Sequence, residues 1–191
     1  MVNLPYITYN SQQLNKIGNA SIYVATKVSM LSKTKLLKLL YILDEVSIKK
    51  SGVPFFNLKY KVWKFGPVSE ELFIELSSEP SLLKNYITRQ QNNNQSVIVA
   101  VNDFNDDEFS DNDIELMDLV INQFGSKTSR ELVAYTHRKN APWYITAQQH
   151  SVLELLENET INNTEYLVDL SVLVAHDERK KQLFEQYMLA N

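Results

Sequence analysis

Three histidines are the side chains of this sequence best suited to acid–base or metal chemistry: His137, His150 and His176. None falls in an HExxH pattern, and no two share the short fixed spacing of metal ligands on one helix. His137 lies near the predicted end of a helix, where the helix dipole and a surface or capping hydrogen bond are enough to explain a histidine at this position.

The sequence has no cysteine, which excludes thiol catalysis and zinc–thiolate sites. Its four glycines are not clustered, so no phosphate-binding loop can be drawn. We therefore expect no catalytic residues, no cofactor and no enzymatic activity.

The acidic stretch NDFNDDEFSDND suggests a calcium loop, but its spacing fails. Asp103, Asn105 and Asp107 match the first three alternating ligands of an EF-hand. The sixth position, normally glycine, is Glu108, and the twelfth, normally a bidentate glutamate, is Ile114. We expect a solvated loop and no metal site.

A basic and aromatic stretch gives the strongest binding signal. Lys59, Lys61 and Trp63 share one face of an extended run, and Lys64 follows them. Lysines interleaved with tryptophan are typical of a nucleic-acid platform or of a protein hot spot. The competing interpretation is that Trp63 packs as core against the next helix. The candidate partner-binding residues are Lys35, Lys38, Lys59, Lys61, Trp63 and Lys64.

Charge is unevenly distributed along the chain. Residues 1–66 contain 10 lysines and two acidic residues, whereas residues 67–191 contain nine basic and 21 acidic residues. Either the basic part binds an acidic partner or nucleic acid, or the two parts face each other within one fold. A pI near 5.4 disfavours general DNA affinity.

Helical periodicity dominates the elements that must position these residues. The predicted helices cover Gln12 to Val28, a run from Ser32 to Gly52, Ile114 to Phe124 after a cap at Ser110, and a helix from Thr128 that ends at Asn140 and Pro142. The second of these carries Leu36, Leu39, Leu40, Leu43 and Val46 as its apolar stripe, with Lys35, Lys38 and Lys49 mostly outside it.

Extended segments are fewer and shorter. Residues 56–65 alternate in polarity, which predicts a half-buried strand; Gly66 then frees the backbone, and Pro67 is expected to be the first residue of a helix. Lys84 to Arg89 and Ser96 to Val101 predict a hairpin around QQNNNQ.

The segment after Trp143 is less regular. Val152 to Leu156 predicts one or two helical turns, and YLVDLSVLV is ambiguous between strand and helix. Glu178 to Leu189 predicts a terminal helix that buries Leu183, Phe184, Tyr187 and Met188. The first ten residues lack the features of a signal peptide, and no run approaches about 18 consecutive apolar residues. We expect a cytoplasmic protein that does not associate with membranes; the sequence carries no prediction of self-association.

Four motifs in fixed order resemble one known family. LLKLLYILDEV from Leu36, WKFGPVSEELF from Trp63, FGSKTSRELVAYTH from Phe124 and PW from Pro142 are similar to motifs of the Panacea domain, the SocA-like antitoxin domain. The resemblance runs over residues 31–143, and Phe65 stands where the family usually has tyrosine. The matching scaffold positions include Tyr41, Trp63, Phe65, Gly66, Pro67, Val68, His137 and Trp143.

The resemblance implies both a fold and a partner. The fold would be mainly α with a small β element (α+β), in which residues 1–143 form the Panacea-like domain and residues 144–191 form a C-terminal helical extension packed on it. The partner would be a cognate toxin protein, neutralised by direct contact in a bacterial or prophage toxin–antitoxin pair. A nucleic-acid-binding regulator that uses the basic N-terminal third is the alternative.

Overall fold

The computed structural model describes residues 9–92 and 95–190, and its architecture confirms the predicted class, mainly α with a small β element. The helices are α1 Ser11–Lys27, α2 Lys33–Ser51, α3 Glu70–Glu75, α4 Asp111–Phe124, α5 Ser129–Thr136, α6 Pro142–Gln149, α7 Leu153–Glu157 and α8 Glu178–Ala190, with a 3₁₀-helix at Leu170–Val174. The strands β1 Lys61–Trp63 and β2 Gly66–Val68 form one antiparallel hairpin, and β3 Ile87–Asn92 and β4 Gln95–Ala100 form another.

Helix α2 lies at the centre of the fold. It begins and ends as the sequence predicts: the Ser32 side chain accepts a hydrogen bond from the Lys35 amide, and Gly52 closes the helix with a left-handed φ of 83°. The apolar stripe is broader than expected, because α1, α4, α5, β2 and the C-terminal segment all pack on α2. Lys35, Lys38, Asp44 and Glu45 are consequently buried as well, which corrects the surface position expected for the two lysines.

The buried acids of α2 hold neighbouring segments by hydrogen bonds. The Asp44 carboxylate accepts from the Phe56 amide at 2.6 Å and from the Tyr60 hydroxyl at 2.7 Å, which ties the run before β1 to the helix. The Glu45 carboxylate pairs with Arg138, just after α5, and with Lys49. Both Asp44 oxygens and the Oε1 atom of Glu45 therefore meet donors, whereas the Oε2 atom of Glu45 is buried without a partner among the described residues.

Helices α4 and α5 begin at the predicted caps. Ser110 with Asp113, and Thr128 with Glu131, form complete capping boxes. Helix α4 also joins the basic and acidic parts of the chain, since Lys27 pairs with Asp118 at 2.7 Å. The two parts therefore face each other, as one of the two charge hypotheses predicted.

The hairpin β3–β4 confirms the strand prediction with shifted boundaries. Ile87 pairs with Ala100 and Asn92 with Gln95, so four residues of the predicted turn QQNNNQ belong to the strands; its residues 93–94 lie outside the described residues. The Ile98 amide donates to the carbonyl of Leu31 at 2.7 Å, so the hairpin is fastened to the segment that precedes α2.

The Gly-Pro corner is a hairpin, not the start of a helix. Gly66 has a φ of 92° and pairs with Trp63, so the chain reverses across residues 64–65 and Pro67 lies in β2 opposite Val62. The prediction that Pro67 is the first helical residue was wrong; α3 begins three residues later, at Glu70. Gly66 adopts the positive φ that the turn requires, and helix α3 begins only after strand β2 has ended.

The C-terminal segment runs along β1 before it forms helices. Backbone hydrogen bonds join Val62 to Tyr166, Lys64 to Asn162, and Val168 to Tyr60. The ambiguous YLVDLSVLV stretch is thus extended in its first half and a 3₁₀-helix in its second. In α8 only Phe184 is buried, where it packs against Ile48 of α2 and Val174 of the 3₁₀-helix. The expected burial of Leu183 and Met188 was wrong, because only a short part of α8 packs against α2.

Pro142 is the first residue of α6, a helix that the sequence did not reveal. Among the described residues, no helix is both long enough and apolar enough to span a lipid bilayer.

Substitution of Gly66 by alanine should destabilise the protein. A Cβ atom at this position would lie 2.5 Å from the Thr136 hydroxyl and 3.2 Å from the Lys38 ammonium, at a φ that side chains rarely adopt. We expect Gly66→Ala to lower the free energy of unfolding by about 2 kcal/mol or more in urea denaturation. Ser126→Ala, at an exposed loop position, should change it by less than about 0.5 kcal/mol. Equal stability of the two variants would contradict this description of the corner.

Candidate partner-binding groove

An apolar groove of about 340 Å³ opens beside the β1–β2 turn. Leu37 and Lys38 of α2 form its floor, the turn residues Trp63 to Phe65 form one wall, and Phe73 of α3 contributes to it. Asn162 and Asn163, from the C-terminal segment that runs along β1, form the remaining wall. Side chains from both predicted regions, residues 1–143 and 144–191, therefore meet at this groove.

Trp63 combines the two roles that the sequence left open. Its ring is half-buried and packs edge-to-face on Phe73, with 5.1 Å between ring centroids, as the core interpretation expects. Its carbonyl accepts a hydrogen bond of 2.9 Å from the indole of Trp143. Its own indole Nε1 is buried and has no partner among the described residues. A buried indole N–H normally finds an acceptor, so this wall of the groove has an unused donor.

Phe65 is the exposed apolar residue of the groove. Its side chain is 61% exposed, and the Lys64 ammonium lies 4.9 Å from the centroid of its ring. The family motif suggested a scaffold role, but the structure gives Phe65 no packing of that kind. The tight turn holds it outward instead, beside the half-buried ring of Trp63.

The candidate lysines do not form a continuous positive face. Lys61 pairs with Glu70 and with Glu165, each at 2.5 Å, and Lys64 pairs with Glu159 at 2.9 Å. Lys59 is exposed but does not line the groove, and Lys35, about one turn before Lys38 in α2, lines a separate cavity. The groove therefore brings together Lys38, Trp63 and Lys64 of the six candidates.

Lys38 is the most deeply buried of the lysines. Its side chain is 1% exposed, and its ammonium donates a 2.8 Å hydrogen bond to the carbonyl of Pro67. Burial lowers the pKa of Lys38 to about 7, because the charged form loses its hydration. Such a residue supports the corner from inside, and its burial leaves no surface for contact with a partner.

His137 lies next to Lys38, beneath the same corner. Its ring stacks on Trp143 with 3.8 Å between centroids and an interplanar angle of 2°. Burial, and secondarily the nearby charge of Lys38, lower the pKa of His137 to about 4, so its ring is neutral at pH 7. Its Nε2 atom is buried without a partner in the described part of the chain, so the expected surface or capping hydrogen bond of this side chain was wrong.

The other motif residues form the supporting layer. Tyr41 is fully buried and packs edge-to-face on Tyr60 at 4.9 Å, and Val68 is buried in β2. Together with Gly66, Pro67 and Trp143 they support the corner, and Val68 also lines the groove. Within residues 9–92 and 95–190, no three His, Asp or Glu side chains are grouped to hold a metal ion.

A comparison with protein-family models matches residues 36–144 to the family described as antitoxin SocA-like, Panacea domain. The chain belongs to this family. No curated protein and no solved structure matches it. Membership of this family indicates an antitoxin role.

The matched region contains nearly all of the groove. Its floor, turn and α3 wall fall within residues 36–144, whereas Asn162, Asn163 and Glu159 follow it. No side-chain pattern predicts a role for these three residues, because the segment that carries them is held to β1 by backbone hydrogen bonds. Exposed Phe65 could have been found from its place between Lys64 and Gly66 in a tight turn.

Replacement of Lys38 should change how stability depends on pH. The pKa of Lys38 falls from an ordinary value of 10.5 to about 7 on folding, so unfolding takes up a proton between these pH values. The wild-type protein should then gain stability as pH rises through this window, by up to about 1.4 kcal/mol per pH unit. We expect the gain between pH 7 and pH 9 to be about 2 kcal/mol larger in wild type than in Lys38→Met.

The measurement is urea denaturation of both proteins at several pH values, with Lys59→Met as the control for loss of an exposed lysine. Lys59→Met should keep the wild-type pH dependence. The groups that face Lys38 are the Pro67 carbonyl, the Thr136 hydroxyl and His137, and none of them titrates in this window. Parallel pH profiles for wild type and Lys38→Met would show that the amine is not held in a desolvated state.

Proposed function

We propose that this protein is an antitoxin that neutralises a cognate toxin by direct contact, and that the groove beside the β1–β2 turn is where the toxin binds. The observation that carries the location is Phe65, an aromatic side chain held outward at the edge of an apolar groove by a rigid turn. Exposed aromatic residues beside an apolar pocket have the composition of a binding hot spot.

The rigidity of the turn supports this proposal. Gly66 and Pro67 are packed from below by Lys38 and Thr136, and the C-terminal segment is hydrogen-bonded along the outer edge of β1. A surface that is ordered before binding loses little conformational entropy when a partner arrives.

Nucleic acid is the less favoured partner. Lys61 and Lys64 are engaged with carboxylates, and Lys38 is buried, so they offer few free cations to a phosphate backbone. Nucleic-acid binding is the alternative function if the co-expression experiment described next gives no complex with a toxin.

Loss of Phe65 should abolish neutralisation without unfolding the protein. We propose co-expression with the product of the adjacent gene, followed by copurification and a growth assay. Phe65→Ala should weaken the complex by at least about tenfold and restore toxicity, since removal of a hot-spot aromatic costs about 2 kcal/mol or more. Leu119→Ala, which removes an exposed apolar side chain from α4, should neutralise like wild type.

Two outcomes separate the function from its location. If the adjacent gene product is harmless alone, or stays toxic beside the wild-type protein without forming a complex, direct neutralisation of that protein is wrong. If wild type and Phe65→Ala neutralise equally, the antitoxin function stands and the groove is not the binding surface.

A further inference from the structure

A second cavity lies at the start of α2, apart from the groove described above. It has a volume of about 660 Å³ and opens between the N-termini of α2 and α5 and the strand β4. Among the described residues its lining includes two lysines, Lys35 and Lys127, and no acidic residue, although the chain as a whole has a net charge of −4. Six of its lining residues carry a hydroxyl group: Ser29, Ser32, Ser96, Ser126, Thr128 and Ser129.

Two helix N-termini converge on this cavity. Ser32 is the cap of α2, Ser129 is the first residue of α5, and their hydroxyl oxygens are 3.0 Å apart. The partial positive charges of both helix ends therefore act on the same volume. Helix N-termini alone do not define a ligand site, because the caps already satisfy part of their amide groups.

Lys35 provides a second observation, independent of the helix N-termini, that points to a ligand site. Its residue is 8% exposed, and its ammonium makes no hydrogen bond and no ion pair with any residue that the structure describes. Side chains on a helix lean toward the N-terminus, so from the third position of α2 the lysine reaches toward the cavity that it lines. Burial lowers the pKa of Lys35 because no anion compensates for the lost hydration.

No acid among the described residues pairs with the Lys35 ammonium, although most of the Lys35 residue is covered by the fold. An anion beside the ammonium would favour its charged form. The one acid of the nearby helix turn, Glu131, does not line the cavity, and its carboxylate accepts from the amide and hydroxyl of Thr128. The cavity thus combines an unpaired cation, hydroxyl groups and two helix dipoles, and no described residue supplies the anion that these groups favour.

We propose that this cavity is a binding site for a phosphate monoester, with Lys35 as its principal cation. The hydroxyl-rich rim would donate hydrogen bonds to the phosphate oxygens, as helix N-termini and serine side chains do in other phosphate sites. A volume of about 660 Å³ exceeds that of a phosphate ion and lies in the range of small-molecule sites, so a mononucleotide is a suitable probe. The site does not depend on the toxin-binding proposal, since the two cavities share no lining residue.

The test is isothermal titration of the full chain with three separate probes: inorganic phosphate, adenosine monophosphate and adenosine. Both phosphate-bearing probes should bind, and adenosine should not. Tighter binding of the nucleotide would point to a nucleotide ligand, and equal binding to free phosphate. No binding of either phosphate probe at millimolar concentration, or equal binding of adenosine and its monophosphate, would overturn the proposal.

Two substitutions test the role of Lys35 in phosphate binding. Lys35→Met keeps the packing of the side-chain stem but removes the charge, and it should weaken binding at least tenfold. If Lys35 served only packing, Lys35→Met would leave the binding of both phosphate probes unchanged. Lys59→Met, an exposed lysine outside the cavity, should bind like wild type.

Ser129→Asp places a carboxylate at the cavity in the first position of α5, where an acid suits the helix dipole and should preserve folding. It should abolish binding of both phosphate probes. Ser11→Asp makes the same change at the first position of α1, away from the cavity, and should leave binding unchanged. Wild-type affinity in Lys35→Met or in Ser129→Asp would overturn the proposal.

Discussion

The hydrogen bond from the buried ammonium of Lys38 to the carbonyl of Pro67 is the contact on which the functional surface depends. It joins the central helix α2 to the β1–β2 hairpin at the point where Gly66 leaves no room for a side chain. His137 and Trp143 stack beneath the same corner, and the indole of Trp143 holds the carbonyl of Trp63. The family motifs, which are far apart in sequence, therefore meet in one packed layer.

That layer explains how a protein without catalytic groupings in its sequence can carry a specific function. The layer fixes the turn, and the turn presents Phe65 while the C-terminal segment completes the groove beside it. The corner lies within the residues that match the antitoxin family, whereas the wall supplied by Asn162 and Asn163 lies outside them. The groove is therefore built from the family-matched region and from a segment that follows it.

Local signals in the sequence predicted the helices well, and long-range contacts decided the rest. Ser32, Ser110 and Thr128 marked helix starts because capping is a local interaction. The burial of Lys38 could not be predicted, since its partner Pro67 is 29 residues away. Pro67 also belongs to a hairpin, whereas the sequence predicts a helix start at this position. Leu183 and Met188 have helical spacing, but α8 has too little surface to pack against for that face to be buried.

Hydrogen–deuterium exchange of the protein, alone and in complex with its cognate toxin, tests the account most directly. The account predicts slower exchange on binding in residues 61–73, which carry the turn and α3, and in residues 159–165 of the adjoining segment. The amides of α4, on another face of α2, should exchange at the same rate in both states. Protection confined to α4 or to the β3–β4 hairpin, with the turn unchanged, would contradict it.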